Sequence, residues 1–429
     1  MSKELAIKYF KLILFIIITG SMLWISSPNN IVVHILAMII LCISAIWIAD
    51  FDLIHPYFWY SIAFTLYSVS YPILYAAGIK TEFGYSKEVI VLEWIALTVF
   101  LLIVSPKKNV RGKNESLYKS NTLNEHVINI IWCLLVVAAL VIKKGGYGNK
   151  KEIYSSNNIF LNIAFYLAII FTIMYMYELI NNIVKFKKVN IKLIVKVGSA
   201  ILFMTMFSGE RDLLFRFLAV TVLVLYVFKK INNLHLIMMI PFVMCMLPLS
   251  HIYKYYFLTG TITSTKVFNF NTLLFDFLNG EFISASKNLQ VLINNEFYTN
   301  ALFKGKTILN DFIRIFMKTN FTHGKWYNDT FFPHVKTTGY GFTIVGEGYI
   351  NFGYLGVILV FIILALFIRV LYRNYYKNMY SFCIYIYTIP LYMYAIRADL
   401  ANIFSPLIKH LLLSMLIIYI MERIIIKKH

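Results

Sequence analysis

Apolar residues run through this chain in blocks of seventeen to twenty-four, separated by short polar connectors. A helix rises 1.5 Å per residue, so about 20 apolar residues cross a bilayer. The pattern predicts about twelve such spans, at 9–26, 31–49, 56–78, 88–105, 126–143, 159–180, 192–208, 212–228, 234–252, 354–372, 379–396 and 402–425. The rhythm fails once, between His251 and Gly356, in a polar and aromatic segment with room to build outside the bilayer. Within it Ile308, Phe312, Ile315 and Phe316 recur at helical spacing, with Asn310, Asp311, Arg314 and Lys318 elsewhere on the turn. That periodicity predicts an amphipathic helix lying on the membrane surface.

Composition agrees. The 429 residues are 60% hydrophobic and 14% charged, against about 25% charged in soluble domains. The expected class is an all-α polytopic membrane protein forming one integral domain over 1–429, with a large external loop at about 253–340. The net charge of +20 would suggest nucleic acid in a soluble protein. Here the basic residues gather in connectors such as 106–124 and 181–192, where they set orientation and meet anionic lipid; no nucleic-acid partner is expected. They place both termini in the cytoplasm and 253–340 outside. One connector, 143–158, is external yet carries Lys143, Lys144, Lys150 and Lys151, and reads as a basic loop facing substrate. The start, MSKELAIKYFK, has no small-residue cleavage site and predicts a retained first helix. Cys42, Cys133, Cys245 and Cys383 each fall in a different apolar run, with neither metal nor disulfide spacing.

Few positions suggest chemistry. Gly305-Lys306-Thr307 imitates the end of a phosphate loop, but Asn300 replaces the first glycine. Asp50-Phe51-Asp52 imitates a metal-holding acidic pair, and a cytoplasmic connector is the simpler reading. Glu347 stands in a glycine-rich stretch, Thr337 to Val357, that re-enters hydrocarbon with Asn351. A carboxylate at a membrane edge is expensive unless it lines a site, and desolvation suits it to act as a general base. Its alternative is a helix-packing carboxylate. Arg211, flanked by Glu210 and Asp212, opens one span on the external side, with Arg216 a turn later; Arg397 and Asp399 close another. These are guanidiniums for phosphate oxygens or interfacial ion pairs. His251, His323, His334 and Lys336 are external, and His410 lies in the last span. A lone histidine is more often structural.

Three motifs carry a family resemblance: SGERDLLFRF (Ser208 to Phe217), GYGFTIVGEGYINFGYLG (Gly339 to Gly356) and IRADL (Ile396 to Leu400). With the span plan, they resemble Wzy-type oligosaccharide repeat-unit polymerases, the enzymes of O-antigen and capsule. The histidine-asparagine pair of the related ligases is absent here, where Thr343 and Glu347 stand instead. The resemblance implies a GT-C-like glycosyltransferase in the bacterial inner membrane, acting on its external face without cofactor or metal. Donor and acceptor would be glycans on undecaprenyl diphosphate. Arg211, Arg216 and Arg397 would meet the departing diphosphate and Glu347 would take the acceptor proton. Glu210, Asp399, His323, His334, Lys336 and Asn351 would line the substrate, and a chain-length regulator is a possible partner. A lipid-linked oligosaccharide flippase and an O-antigen ligase are the rival readings. A flippase should show internal pseudo-symmetry and short external loops, which this sequence does not.

Overall fold

The computed structural model describes residues 3–106, 125–147, 150–239, 273–295, 302–317, 319–334 and 341–427. Among them every regular element is helical. In chain order these are α1 (Lys3–Ile25), α2 (Ile31–Ile48), α3 (Pro56–Ala76), α4 (Lys87–Val104), α5 (Glu125–Lys144), α6 (Lys150–Ser155), α7 (Ile159–Phe186), α8 (Ile191–Ser208) and α9 (Arg211–Val227). Then come α10 (Leu273–Phe277), a π turn (Leu278–Phe282), α11 (Ile283–Asn294), α12 (Lys306–Phe316), α13 (His323–Phe331), α14 (Ile344–Asn374), α15 (Met379–Ala395), α16 (Ala401–Pro406), a second π turn (Leu407–Leu412) and α17 (Leu413–Lys427).

Local chemistry sets several boundaries. Asn30, Asn158 and Asn190 cap α2, α7 and α8, each accepting a backbone N–H of the first turn. Ser86 caps α4, and Pro56 opens α3. Gly209 ends α8 in the left-handed region at φ +68°.

Eleven of the twelve expected spans coincide with helices; the other, 234–252, lies outside the described residues beyond 239. Among the described residues, seven helices are long and apolar enough to cross a membrane. The shortfall has physical causes: α9 and α15 have 17 residues each, α4 carries Lys87, Glu88 and Glu93, and α3 is rich in Tyr and Ser. α1 buries only Leu12, Thr19 and Leu23 and leaves Ile17, Trp24 and Ile25 exposed, a surface suited to hydrocarbon. The chain is an integral membrane protein.

The chain divides into two compact units. The first is Met1–Val110, Leu274–Arg373 and Leu391–Ser405; the second is Arg111–Leu273, Asn374–Pro390 and Pro406–His429. In the first unit α3 is buried nearly all round. Tyr57 donates to the Leu101 carbonyl at 2.5 Å, Tyr60 stacks on Phe100 at 3.9 Å, and Tyr392 donates to the Leu364 carbonyl at 3.0 Å. A helix of low hydropathy is stable there because its phenols find backbone acceptors and its rings fill the interior. In the second unit Tyr380 and Tyr177 both donate to Glu422, and Tyr175 meets Thr221 at 3.0 Å.

The return into the membrane differs from expectation. It begins at Ile344 rather than 354, and it is not one helix. Phe352 (φ −145°, ψ 23°) and Gly353 (φ +59°, ψ −139°) break it, and the Gly353 geometry is open only to glycine. Beyond the break the chain doubles back so closely that backbones touch. A Cβ on Gly356 would stand 1.9 Å from the Gly348 carbonyl oxygen, and one on Gly348 would stand 2.6 Å from the Val357 nitrogen. Groups near the break are satisfied from outside the helix: Phe303 N–H donates to the Ile350 carbonyl at 2.9 Å, and Gly305 N–H to Asn351 Oδ1 at 2.9 Å.

Gly356→Ala should therefore lower stability by about 3 kcal/mol, because a backbone oxygen cannot give way as a side chain can. Gly324→Ala, whose nearest neighbour would be 3.6 Å away, should be neutral or stabilising by up to about 1 kcal/mol. Melting temperatures in detergent compare the two.

Candidate functional site

Four segments of the first unit converge on one buried cluster. α12 supplies Asp311 and Arg314, α13 supplies His323, α14 supplies Glu347, and the connector between α15 and α16 supplies Asp399. Backbone pairing sets the approach of the last two. Phe342 N–H donates to the Arg397 carbonyl at 3.0 Å and Ile344 N–H to the Ile396 carbonyl at 3.3 Å. Gly341, at φ +72°, leaves no room for a Cβ, which would meet that Arg397 oxygen at 3.0 Å. One turn into α14, Glu347 Oε2 then accepts the Leu400 N–H at 2.9 Å.

The charges are tightly arranged. Arg314 Nη1 donates to Asp399 Oδ2 at 2.9 Å and Asp311 Oδ1 at 3.1 Å. His323 Nδ1 lies 3.3 Å from Asp399 Oδ2 and 3.5 Å from Asp311 Oδ1. Asp311 Oδ2 also accepts the Ala401 N–H at 3.2 Å, and Asp399 Oδ1 accepts from Asn402. The imidazole is clamped between Phe342, stacked at 5.1 Å, and Phe321, edge-on at 5.3 Å. Asp311, His323, Glu347 and Asp399 are at most 3% exposed.

Burial alone would favour a neutral ring, but the charge of Glu347 and the hydrogen bonds to Asp311 and Asp399 prevail and raise the His323 pKa to about 10. Burial would likewise raise Asp399, yet His323 and then Arg314 outweigh it and bring the carboxyl down to about 2. The imidazole is thus held as a cation by two carboxylates. Two buried atoms of the cluster have no hydrogen-bond partner among the described residues: His323 Nε2 and Glu347 Oε1. Asp311, His323 and Glu347 each bring one donor atom within 4.8 Å of the others.

Of the residues expected from sequence, Glu347, Asp399 and His323 share this cluster. Asn351 braces it: its Nδ2 donates to Thr307 Oγ1 at 2.6 Å and the Glu347 carbonyl at 2.7 Å, while its Oδ1 holds Gly305. Arg397 is half-buried, with its guanidinium 5.0 Å over the Tyr394 ring. His334 is exposed, following α13. Lys336 and His251 lie outside the described residues. Glu210, Arg211 and Arg216 belong to the second unit. There Arg216 is committed to Asp212, at 2.6 and 3.1 Å, and to the Tyr387 hydroxyl at 3.3 Å, so it reads as a helix-packing ion pair. Arg211 is the first residue of α9, with Glu210 at its cap position. Asp50 pairs with Lys8 at 2.6 Å, and Asp52 accepts the Ile54 N–H at the entry to α3.

Sequence reasoning missed Asp311 and Arg314 as site residues because it read α12 as a helix on the membrane surface, with these two simply pointing away from its apolar face. The helix is amphipathic as expected, but Thr307, Asp311 and Ile315 face inward while Leu309, Phe316 and Met317 are exposed at 62%, 76% and 68%. The available signal was an aspartate and an arginine three apart on a helix otherwise compatible with hydrocarbon. Such charges mark an interior-facing pair.

Arg314→Met should destabilise the protein by about 3 kcal/mol, at the low end for breaking a buried pair because the guanidinium is partly exposed. Combining it with Asp399→Asn should cost less than the two single changes added together, since the pair acts as a unit. Melting temperatures of the three variants check this.

The glycine-hinged stretch that carries Glu347 is one of the three motifs on which the resemblance in the sequence rested. No curated protein and no solved structure matches the chain. The family model for O-antigen polysaccharide polymerase Wzy matches residues 7–429, nearly the whole length. The chain therefore belongs to the O-antigen polysaccharide polymerase Wzy family, whose members join polysaccharide repeat units.

Proposed function

We propose that this protein polymerises undecaprenyl-diphosphate-linked repeat units into O-antigen or capsular polysaccharide by glycosyl transfer on the external face of the inner membrane. The proposal keeps about twelve spans in a GT-C-like arrangement, both termini in the cytoplasm, and 253–340 as the external loop. A chain-length regulator is its expected partner. The observation that carries it is a pair of buried atoms, Glu347 Oε1 and His323 Nε2, that have no hydrogen-bond partner among the described residues. A nucleophilic hydroxyl needs one atom to take its proton and a second to fix its oxygen.

The sign of the charge divides the labour. With three carboxylates and two cations, the cluster repels a diphosphate and suits the acceptor hydroxyl. Glu347 takes the proton of that hydroxyl as its oxygen attacks the anomeric carbon of the donor. The bond from that carbon to the diphosphate breaks, and the lipid diphosphate leaves with the electron pair. Arg397, half-buried beside the cluster's connector, is the guanidinium proposed for the leaving phosphate oxygens. Arg211 is a separate proposal for contact with anionic substrate in the second unit.

Purified protein supplied with lipid-linked repeat unit should yield a ladder of chain lengths. Glu347→Gln and His323→Gln should reduce its rate by about 10²–10⁴-fold, and Arg397→Ala should reduce it while Arg397→Lys retains part. Both cluster variants polymerising at the wild-type rate, while folded, would sink the assignment.

A further inference from the structure

The two arms of α14 meet at a break that side-chain packing does not hold. A Cβ on Gly353 would touch nothing within 4 Å, and Phe352 beside it is 40% exposed. Gly348 and Gly356 set how closely the arms approach, since their backbones touch. That contact does little against opening, because dispersion between two glycines is small. The arm before the break carries Glu347, so the angle at the break decides where that carboxylate stands.

One side chain spans the break. Glu88 lies in the first turn of α4, and its backbone N–H donates to the capping Ser86 Oγ at 3.2 Å. The positive end of the helix favours a carboxylate there. Its Oε1 accepts from the Tyr354 hydroxyl, after the break, at 3.0 Å and from the Tyr349 hydroxyl, before it, at 3.5 Å. The second bond is the longer and weaker of the two, but the Tyr349 ring is fully buried whereas Tyr354 is 41% exposed. Tyr349 follows Glu347 by two positions, about 200° around the helix, so the arm is held from opposite sides. Glu347 Oε2 takes the Leu400 N–H on one, and Glu88 takes Tyr349 on the other. The start of α4 is itself anchored: Ser86 N–H donates to Gln290 Oε1 of α11 at 2.8 Å.

We propose that Glu88 is a positioning residue: by accepting both phenols it clasps the two arms of α14, and so sets the first arm, with Glu347, at the acceptor hydroxyl. Glu88 touches no reacting atom in this scheme. The inference rests on the reading of Glu347 as the base and adds the group that holds it in place. The clasp needs an acceptor oxygen rather than a charge, which separates it from a carboxylate that meets substrate itself. Glutamine keeps the acceptor, and alanine removes it.

The test uses the full-length protein in detergent with lipid-linked repeat unit. It reads the ladder rate and, by mass spectrometry, amide hydrogen exchange over 344–357, which reports local opening without reference to activity. Glu88→Ala should lower kcat by about 10–100-fold, the cost of a small misplacement, with KM near the wild-type value. It should also speed exchange over 344–357 and leave α8 unchanged. Tyr354→Phe should act in the same direction, and adding it to Glu88→Ala should cost nothing further, since both remove one interaction. Glu88→Gln should restore most of the rate and of the protection. Tyr354→Phe deletes a single hydroxyl from a part-exposed ring, so it decides where Glu88→Ala does not fold. Unchanged exchange in the folded variants overturns the inference, and so does faster exchange with a wild-type ladder. Glu88→Gln as slow as Glu88→Ala overturns it too, marking a carboxylate in contact with substrate. A normal ladder in Glu88→Ala and Tyr354→Phe, with its loss in Glu347→Gln, refutes the clasp and leaves the base standing. Faster exchange and a slow ladder in Glu88→Ala, beside a normal ladder in Glu347→Gln, refutes the base and leaves the clasp standing.

Discussion

The imidazolium of His323, held between Asp311 and Asp399 with Arg314 closing the ring of charge, is the contact on which the first unit's functional region depends. Each of these groups would be costly to bury by itself. Together they join α12, α13 and the connector that precedes α16. The cluster is therefore a structural joint before it is a site. It also explains the apparent excess of polar groups in an apolar chain, because each polar side chain there answers another one or a backbone amide.

A second constraint acts beside it. The broken α14 brings Glu347 to the Leu400 amide only because glycines allow Gly348 and Gly356 to meet backbone to backbone and Gly353 to take a conformation closed to other residues. Asn351 then ties this hairpin to the start of α12. Electrostatics and sterics fix the same geometry from two sides, so Glu347 has little freedom to move away from His323. Such rigidity suits a reaction in which a hydroxyl must be held rather than searched for.

Much of this was legible in the sequence. Span positions follow from apolar run length, a local property, and the caps at Asn30, Asn158 and Asn190 stood where the runs began. Glu347 stood out because a carboxylate among glycines at a membrane edge has few structural reasons to exist. Three things were not legible. α11 buries Leu289 and Leu292 within the supposed external loop, since a twelve-residue helix is too short to announce a span. The inward face of α12 was hidden because amphipathic spacing predicted a surface helix and could not say that Asp311 and Arg314 meet His323 and Asp399. The company of Arg211 and Arg216 was also hidden: spacing alone could not say that Asp212 and Tyr387 occupy Arg216.

The two faces of α12 have one more consequence. Successive residues are 100° apart around a helix, so rolling α12 by a single position would turn Asp311 out of the cluster and carry an exposed apolar side chain inward. The ion pair of Arg314 with Asp399 and the hydrogen bond from the Ala401 amide to Asp311 oppose that roll. Any displacement of α12 must then tilt or slide it as a stiff rod, and Asp311 travels with it.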